Sequence, residues 1–305
     1  MASPLTGVMP VAPTVFHDDG RLDLPGNARL MEFMADQGSD AVCILANFSE
    51  QFLLTDEERR QVAETCLTAM GGRVPVIVTC SHFATAIAAA RARHAADLGA
   101  AMVMLMPPYH GASLQADEDG IVEHFAEVAR ASGLPIMYQD APLSGVKVSA
   151  AFLARLAREV PAVGYFKIET PFAAQKLRDL IALGGPAILG PCDGEESITL
   201  MADLDAGATG SMCSALLPDL IRPVILAHRA GDRAAAAEGY RRILPLINFE
   251  NRQCGLRAAK VVLKEGGVIA SDHLRHPLRP LHPATRAGLM ELAREADPLA
   301  LRWGK

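Results

Sequence analysis

The chain is poor in the features that mark several large protein classes. Aromatic residues make up only 5 % of it, with a single tryptophan, and no segment interleaves them with basic residues. That excludes the aromatic and basic faces that proteins use to hold nucleic acid. Basic residues form no stripe: 29 Lys and Arg are scattered among 35 Asp and Glu, for a formal net charge of −6. Such a balance does not attract an anionic substrate from a distance, so any carboxylate must be held by local groups. The six cysteines (Cys43, Cys66, Cys80, Cys192, Cys213 and Cys254) lie far apart, with no Cys-x-x-Cys pair. Neither a zinc site nor a redox pair is indicated, and a reduced, cytoplasmic setting is expected. The opening MASPLTGVMP has neither the basic start nor the apolar run of a secretion signal. No run of about 18 apolar residues occurs, so no membrane partner is expected. No GxGxxG or P-loop string is present, which removes the usual phosphate turns of open doubly wound sheets.

What is present is a repeated alternation. Half of the residues are hydrophobic, and they gather in eight short, nearly continuous runs: Gly7–Phe16, Asp40–Asn47, Val74–Cys80, Ala101–Met106, Leu134–Asp140, Val163–Glu169, Ala187–Cys192 and Thr209–Ser214. Runs of this kind read as parallel strands buried on both faces. Helical patterns separate them. Thr55 to Glu58 reads T-D-E-E, a capping box for a helix reaching Met70. Ala84–Leu98, Ile121–Ala131, Ala150–Glu159, Pro171–Leu183, Ser197–Leu204 and Asp219–Ala230 repeat the 3.6-residue period. Eight β-then-α units predict a (β/α)8 TIM barrel over about residues 1–230. Helical patterns at Ala234–Ile247, Leu256–Glu265 and Pro283–Ala296 predict a C-terminal appendix over about 231–305, all within one domain.

Chemistry in such a barrel sits where the strands end. Lys167 stands out at the sixth end. The chain has only six lysines, and Lys167 alone lies inside an apolar strand, VGYFKIE. An amine stripped of water there is pushed towards its neutral form, the form that attacks a carbonyl. Read from pattern alone, it is more often a lysine snorkelling from a strand end or one paired with Glu169. Glu169, two residues on, shares its strand face. Tyr138 closes the neighbouring strand, where a phenol can move protons or simply fill the core. The turn Asn47-Phe48-Ser49-Glu50 offers N–H groups and a hydroxyl to a carboxylate, or is an ordinary loop. Thr14, His82, Tyr109, His110, Gly190, Asp193 and Ser211 complete the strand-end inventory as candidate substrate contacts. His273, His276 and His282 have no acidic partner at ligand spacing and read as a loop, not a metal site.

Taken in order, these motifs resemble the dihydrodipicolinate synthase/N-acetylneuraminate lyase family: the turn with Glu50 and the following LLTDEER, the PPY of strand four, the tyrosine of strand five, F-K-I-E of strand six and G-A-T-G of strand eight. The resemblance spans nearly the whole chain. It implies a (β/α)8 barrel assembled as a homotetramer, a dimer of dimers, that forms a Schiff base with a small 2-keto acid and uses no metal or other cofactor. By it, Lys167 forms the imine, Tyr138 relays protons, and Asn47, Phe48 and Ser49 hold the substrate carboxylate. There are departures. The usual Gly-Thr-Thr-Gly-Glu turn here reads Ala46-Asn47-Phe48-Ser49-Glu50. His110 stands where the synthases have a second tyrosine, and Leu143 where they have an arginine. The strings CILANFSEQF, MPPYHGA, QDAPLSG, YFKIETP and NFENRQ look most like the L-2-keto-3-deoxyarabonate dehydratase branch. That branch implies dehydration of L-2-keto-3-deoxyarabonate to 2-oxoglutarate semialdehyde; the shared strand face nominates Glu169 as the base at C3. An aldolase releasing pyruvate, and a non-catalytic keto-acid binder, are the alternative readings.

Overall fold

The computed structural model describes residues 4–111 and 113–305. In chain order its elements are β1 (Gly7–Val8), α1 (Leu24–Asp36), β2 (Val42–Ile44), α2 (Asp56–Met70), β3 (Val76–Thr79), α3 (Thr85–Asp97), β4 (Met102–Leu105), α4 (Glu118–Ser132), β5 (Ile136–Asp140), α5 (Ala150–Glu159), β6 (Val163–Ile168), α6 (Ala173–Gly184), β7 (Gly190–Asp193), α7 (Leu200–Asp205), β8 (Gly210–Ser211) and α8 (Pro218–Arg229). Then come α9 (Arg233–Phe249), α10 (Arg257–Glu265) and α11 (Pro283–Ala296). The eight strands belong to one sheet. This is the expected (β/α)8 barrel with its C-terminal helices. No helix among the described residues is long and apolar enough to cross a membrane.

Two local readings change. Helix α1 is absent from the sequence expectation because Leu24-Pro25-Gly26-Asn27 carries turn residues. Proline is tolerated in a first helical turn, where its missing N–H has no partner to lose, and Asp23 caps that turn by accepting from the Gly26 N–H. The run Gly7–Phe16 was read as one strand, yet only Gly7–Val8 pairs regularly, with single parallel bridges from Val11 to Cys43 and Ser214. Pro10 and Pro13 supply no N–H to a ladder. The capping box forms as read: the Thr55 side chain accepts from the Glu58 N–H, and the Glu58 carboxylate accepts from the Thr55 N–H at 2.9 Å.

The chain packs as two compact units. One contains Val76–Glu195 and Thr199–Met212, and hence β3 to β8 with α3 to α7. Its strands pair in parallel in sequence order, with Leu105 beside Tyr138, Gln139 beside Lys167 and Lys167 beside Cys192. Strands β4 and β6 are buried along their whole length, so both faces are covered. The other unit contains Gly7–Pro75, Glu196–Ile198 and Cys213–Lys305. In it, Trp303 meets Phe33 of α1 edge-on, with ring centroids 5.5 Å apart, and its indole N–H donates to Asp36 at 2.8 Å.

Candidate active site

The first unit holds the expected chemistry at the ends of β5 and β6. Side chains alternate between the two faces of a strand, and register partners share a face. Lys167 and Gln139 are partners, so they point the same way. Lys167 is 3 % exposed, and its Nζ donates to Glu169 Oε1 at 2.5 Å. Gln139 Nε2 donates to that same oxygen at 2.7 Å. Gly194 closes the group. A Cβ there would stand 2.7 Å from Lys167 Cγ and 2.8 Å from Glu169 Cγ, so a side chain at this position would displace both. Lysine, carboxylate and amide form one buried cluster in which the carboxylate receives two donors.

The structure does not bring Tyr138 to this cluster. Its register partner is Phe166, one step out of phase with Lys167. The Tyr138 ring stacks on Phe125 of α4, with centroids 5.2 Å apart, and leans on Phe166 at 6.4 Å. On either side of Gln139, then, Tyr138 and Asp140 reach helices: Asp140 accepts from Lys176 of α6 at 2.6 Å. The Tyr138 hydroxyl is buried with no hydrogen-bond partner among the described residues. Burial, then the charge of Asp140, holds the phenol well above its ordinary pKa. It packs sheet to helix here, on the face away from the Lys167 amine. A one-residue change of strand phase decides the matter, and sequence spacing alone does not fix that phase.

Three more expected contacts lie elsewhere. Asp193 and Ser211 are register partners, hydrogen-bonded side chain to side chain at 2.5 Å. Asp193 follows Cys192, the partner of Lys167, and so faces the other way. It meets Asp203 of α7, and both carboxyls are pushed up, first by burial and, for Asp193, then by the neighbouring acid. Gly190 is the first residue of β7, at the far end from the chemistry, and a Cβ there would strike the Tyr165 ring at 2.3 Å. These residues build the barrel wall. His82 follows β3, and its Nδ1 accepts from the Ala84 N–H at 2.9 Å. The charge His82 can carry helps to lower its neighbour His124 to about 4, although burial is the main cause. Tyr109 and His110 form a short antiparallel hairpin with Leu114–Gln115 beyond β4. Tyr109 is half-buried, with its phenol raised by burial, and His110 is exposed.

The second unit holds the turn. Asn47–Ser49 is a single 3-10 turn flanked by Leu45 and Glu50, both at φ 58. Left-handed backbone at non-glycine residues is strained and needs support. Ser49 Oγ accepts from the Ala46 N–H at 3.1 Å and donates to Ala12 O at 2.6 Å. Thr14 Oγ1 donates to Ser49 O at 2.7 Å. The N–H groups of Ser49, Glu50 and Gln51 return to Ala46 and Asn47 carbonyls. Both hydroxyls therefore brace the turn, and the Phe48 N–H lies outside these bonds. Glu50 anchors the turn from behind. It pairs with Lys260 of α10, and its Oε2 accepts from the Arg275 N–H at 3.0 Å. Lys260 is 1 % exposed. It is a second buried lysine that the strand-end argument did not anticipate, because its burial comes from tertiary packing of a helix. Burial lowers it, and Glu50 pulls it back up. No group of three or more metal-binding side chains occurs among the described residues.

Comparisons with known proteins fit this geometry. Residues 4–296 match the model of the dihydrodipicolinate synthetase family. The chain is 58 % identical over 297 residues to L-2-keto-3-deoxyarabonate dehydratase of Azospirillum brasilense, covering 97 % of this chain and 96 % of that one. It is 33 % identical over 277 residues to 4-hydroxy-tetrahydrodipicolinate synthase of Acidiphilium cryptum, covering 90 % of this chain and 92 % of the other. The crystal structure of dihydrodipicolinate synthase from Rhodopseudomonas palustris superposes with a TM-score of 0.87 at 28 % identity, over 96 % of this chain and 99 % of that one. The fold, the buried strand-six lysine and the match along nearly the whole length agree: the chain belongs to the dihydrodipicolinate synthetase family.

Proposed function

We propose that the protein is a Schiff-base hydro-lyase that dehydrates a 2-keto-3-deoxy sugar acid, with L-2-keto-3-deoxyarabonate as substrate and 2-oxoglutarate semialdehyde as product. The observation that carries this reading is the buried Lys167 with the Glu169 carboxylate 2.5 Å from its amine. The 58 % identity to a relative of that name supports the choice of substrate.

Lys167 condenses with the C2 ketone and releases water. The iminium makes the C3 protons acidic, and Glu169 takes one, which leaves an enamine. The enamine expels the C4 hydroxyl, which departs as water with the proton that Glu169 returns. With Tyr138 turned away, Glu169 serves as both base and acid, a pairing that proximity makes efficient. Loss of a C5 proton and protonation at C3 leave a C4–C5 enol, protonation at C4 with loss of the hydroxyl proton gives the C5 aldehyde, and hydrolysis frees Lys167. In the turn Asn47-Phe48-Ser49 the Phe48 N–H serves the substrate carboxylate, with Thr14 and Ser49 bracing the turn. His82, Tyr109 and His110, on loops that follow strands, are secondary candidates for the hydroxyl end.

The enzyme works on a small molecule in the cytoplasm, as a homotetramer. Phe172 (88 % exposed), Leu143 and Leu114 leave apolar surface for a second copy to cover. A monomer in light scattering would remove the assembly from this reading. The deciding experiment incubates the protein with 2-keto-3-deoxypentonate. Semialdehyde without pyruvate is expected, together with a borohydride-trapped pyruvate adduct mapped to Lys167. Release of pyruvate, or an adduct on another lysine, overturns the proposal.

A further inference from the structure

Gln139 has no role in the strand-end inventory or in the motif resemblance, yet it occupies the position facing Lys167 across the two strands. It is 1 % exposed. Its Nε2 donates at 2.7 Å to Glu169 Oε1, the oxygen that also receives Lys167 Nζ at 2.5 Å. Two donors on one oxygen fix the rotation of that carboxylate, so that its second oxygen has a set direction. At the other end of the amide, Gln139 Oε1 is buried, and no described residue donates to it. A buried amide carbonyl without a donor is destabilising, and folded proteins seldom leave one unless a ligand or solvent supplies the donor. An amide also carries no titrating proton. It can orient an acid–base group but cannot stand in for one.

We propose that Gln139 is a positioning residue for Glu169 and the hydroxyl acceptor for the substrate. Its N–H aims the carboxylate at C3, and its Oε1 receives a hydrogen bond from a hydroxyl of the sugar acid. The inference rests on the Schiff-base reading of Lys167. It places substrate discrimination on this side chain: a keto acid with hydroxyls satisfies Oε1, and one without leaves it unpaired.

The test uses Gln139→Leu, which removes both ends of the amide, and the isosteric Gln139→Glu, which removes the N–H and adds a second carboxyl. In Gln139→Leu, borohydride trapping of pyruvate on Lys167 is expected to match the wild type. The kcat for 2-keto-3-deoxypentonate should fall about a hundredfold, because Glu169 has lost the donor that orients it. Competitive inhibition by a hydroxylated keto acid over 2-oxobutyrate should lose roughly tenfold in selectivity. In Gln139→Glu the kcat should fall at least as far, since a second carboxyl beside Glu169 repels it instead of donating to it. If the leucine variant does not fold, the glutamate variant decides the matter. A kcat within about threefold of wild type in the folded variants, with unchanged inhibitor selectivity, overturns the proposal. A wild type that traps pyruvate but dehydrates no 2-keto-3-deoxy sugar acid strikes the dehydratase reading instead. Inhibitor selectivity then still decides the role of Gln139.

Discussion

Two lysines, Lys167 and Lys260, are almost wholly buried, yet their partners give them different work. Lys260 meets Glu50, the His273 carbonyl at 2.8 Å and the face of Phe16 at 4.5 Å, so its donors and its charge are both satisfied within the fold. Lys167 shares Glu169 with an amide whose other end has no donor among the described residues. Burial does not make a lysine catalytic; partners with remaining capacity do. Tyr138 makes the same point in reverse, because a residue type suited to proton relay sits on the face away from Lys167. Tyr138→Phe is expected to keep kcat within about twofold, and to hold or raise the melting temperature, since an unpaired buried hydroxyl costs about 1–3 kcal/mol. A loss of about a hundredfold in kcat would restore the tyrosine to the mechanism.

At the scale of elements, each piece of the site is fixed by something outside it. Strand β5 presents Tyr138, Gln139 and Asp140 in strict alternation, and the anchors on the helix side, Phe125 and Lys176, hold Gln139 on the Lys167 face. The strained turn Asn47–Ser49 depends on Glu50, and Glu50 depends on Lys260 and the Arg275 backbone. Arg275 in turn pairs with Glu58 at the start of α2, where two Arg275 donors, then the Thr55 N–H and hydroxyl, hold that acid down at about 2. Lys260→Met leaves Glu50 as an uncompensated buried charge and should destabilise the protein by about 3–5 kcal/mol in urea unfolding. The double variant Lys260→Met/Glu50→Gln should recover part of that loss. A single variant as stable as wild type would show that the pair does not support the turn.

For the molecule as a whole, stability should fall as pH rises through neutrality. Glu250 is 1 % exposed, and burial pushes its carboxyl up to about 7 from the ordinary 4.5, with Ser214 pulling slightly the other way. A raised acid is stabilising in its neutral form. Its contribution is therefore complete below about pH 4.5 and is lost as pH climbs through about 7, on the order of 3 kcal/mol in all. The buried pair Asp193 and Asp203 shifts in the same direction. The loss of melting temperature between pH 5 and pH 8 should be smaller in Glu250→Gln than in the wild type. Identical slopes would count against a neutral Glu250.

The sequence by itself determined the order of the eight strands and of seven of the helices that follow them, the helical appendix, the T-D-E-E cap and the shared strand face of Lys167 and Glu169. Those features follow from local periodicity, capping chemistry and two-residue spacing, all of which are written along the chain. Only the tertiary structure decided that Tyr138, Asp193 and Ser211 face the helices, that Gly190 lies at the wrong end of β7, that Ser49 braces its own turn, and that Gln139 stands opposite Lys167. Which face a strand residue takes depends on register against its neighbours, and a shift of one residue exchanges the two faces. That register is set by packing between strands and helices far apart in sequence, so the residue types were legible while their directions were not.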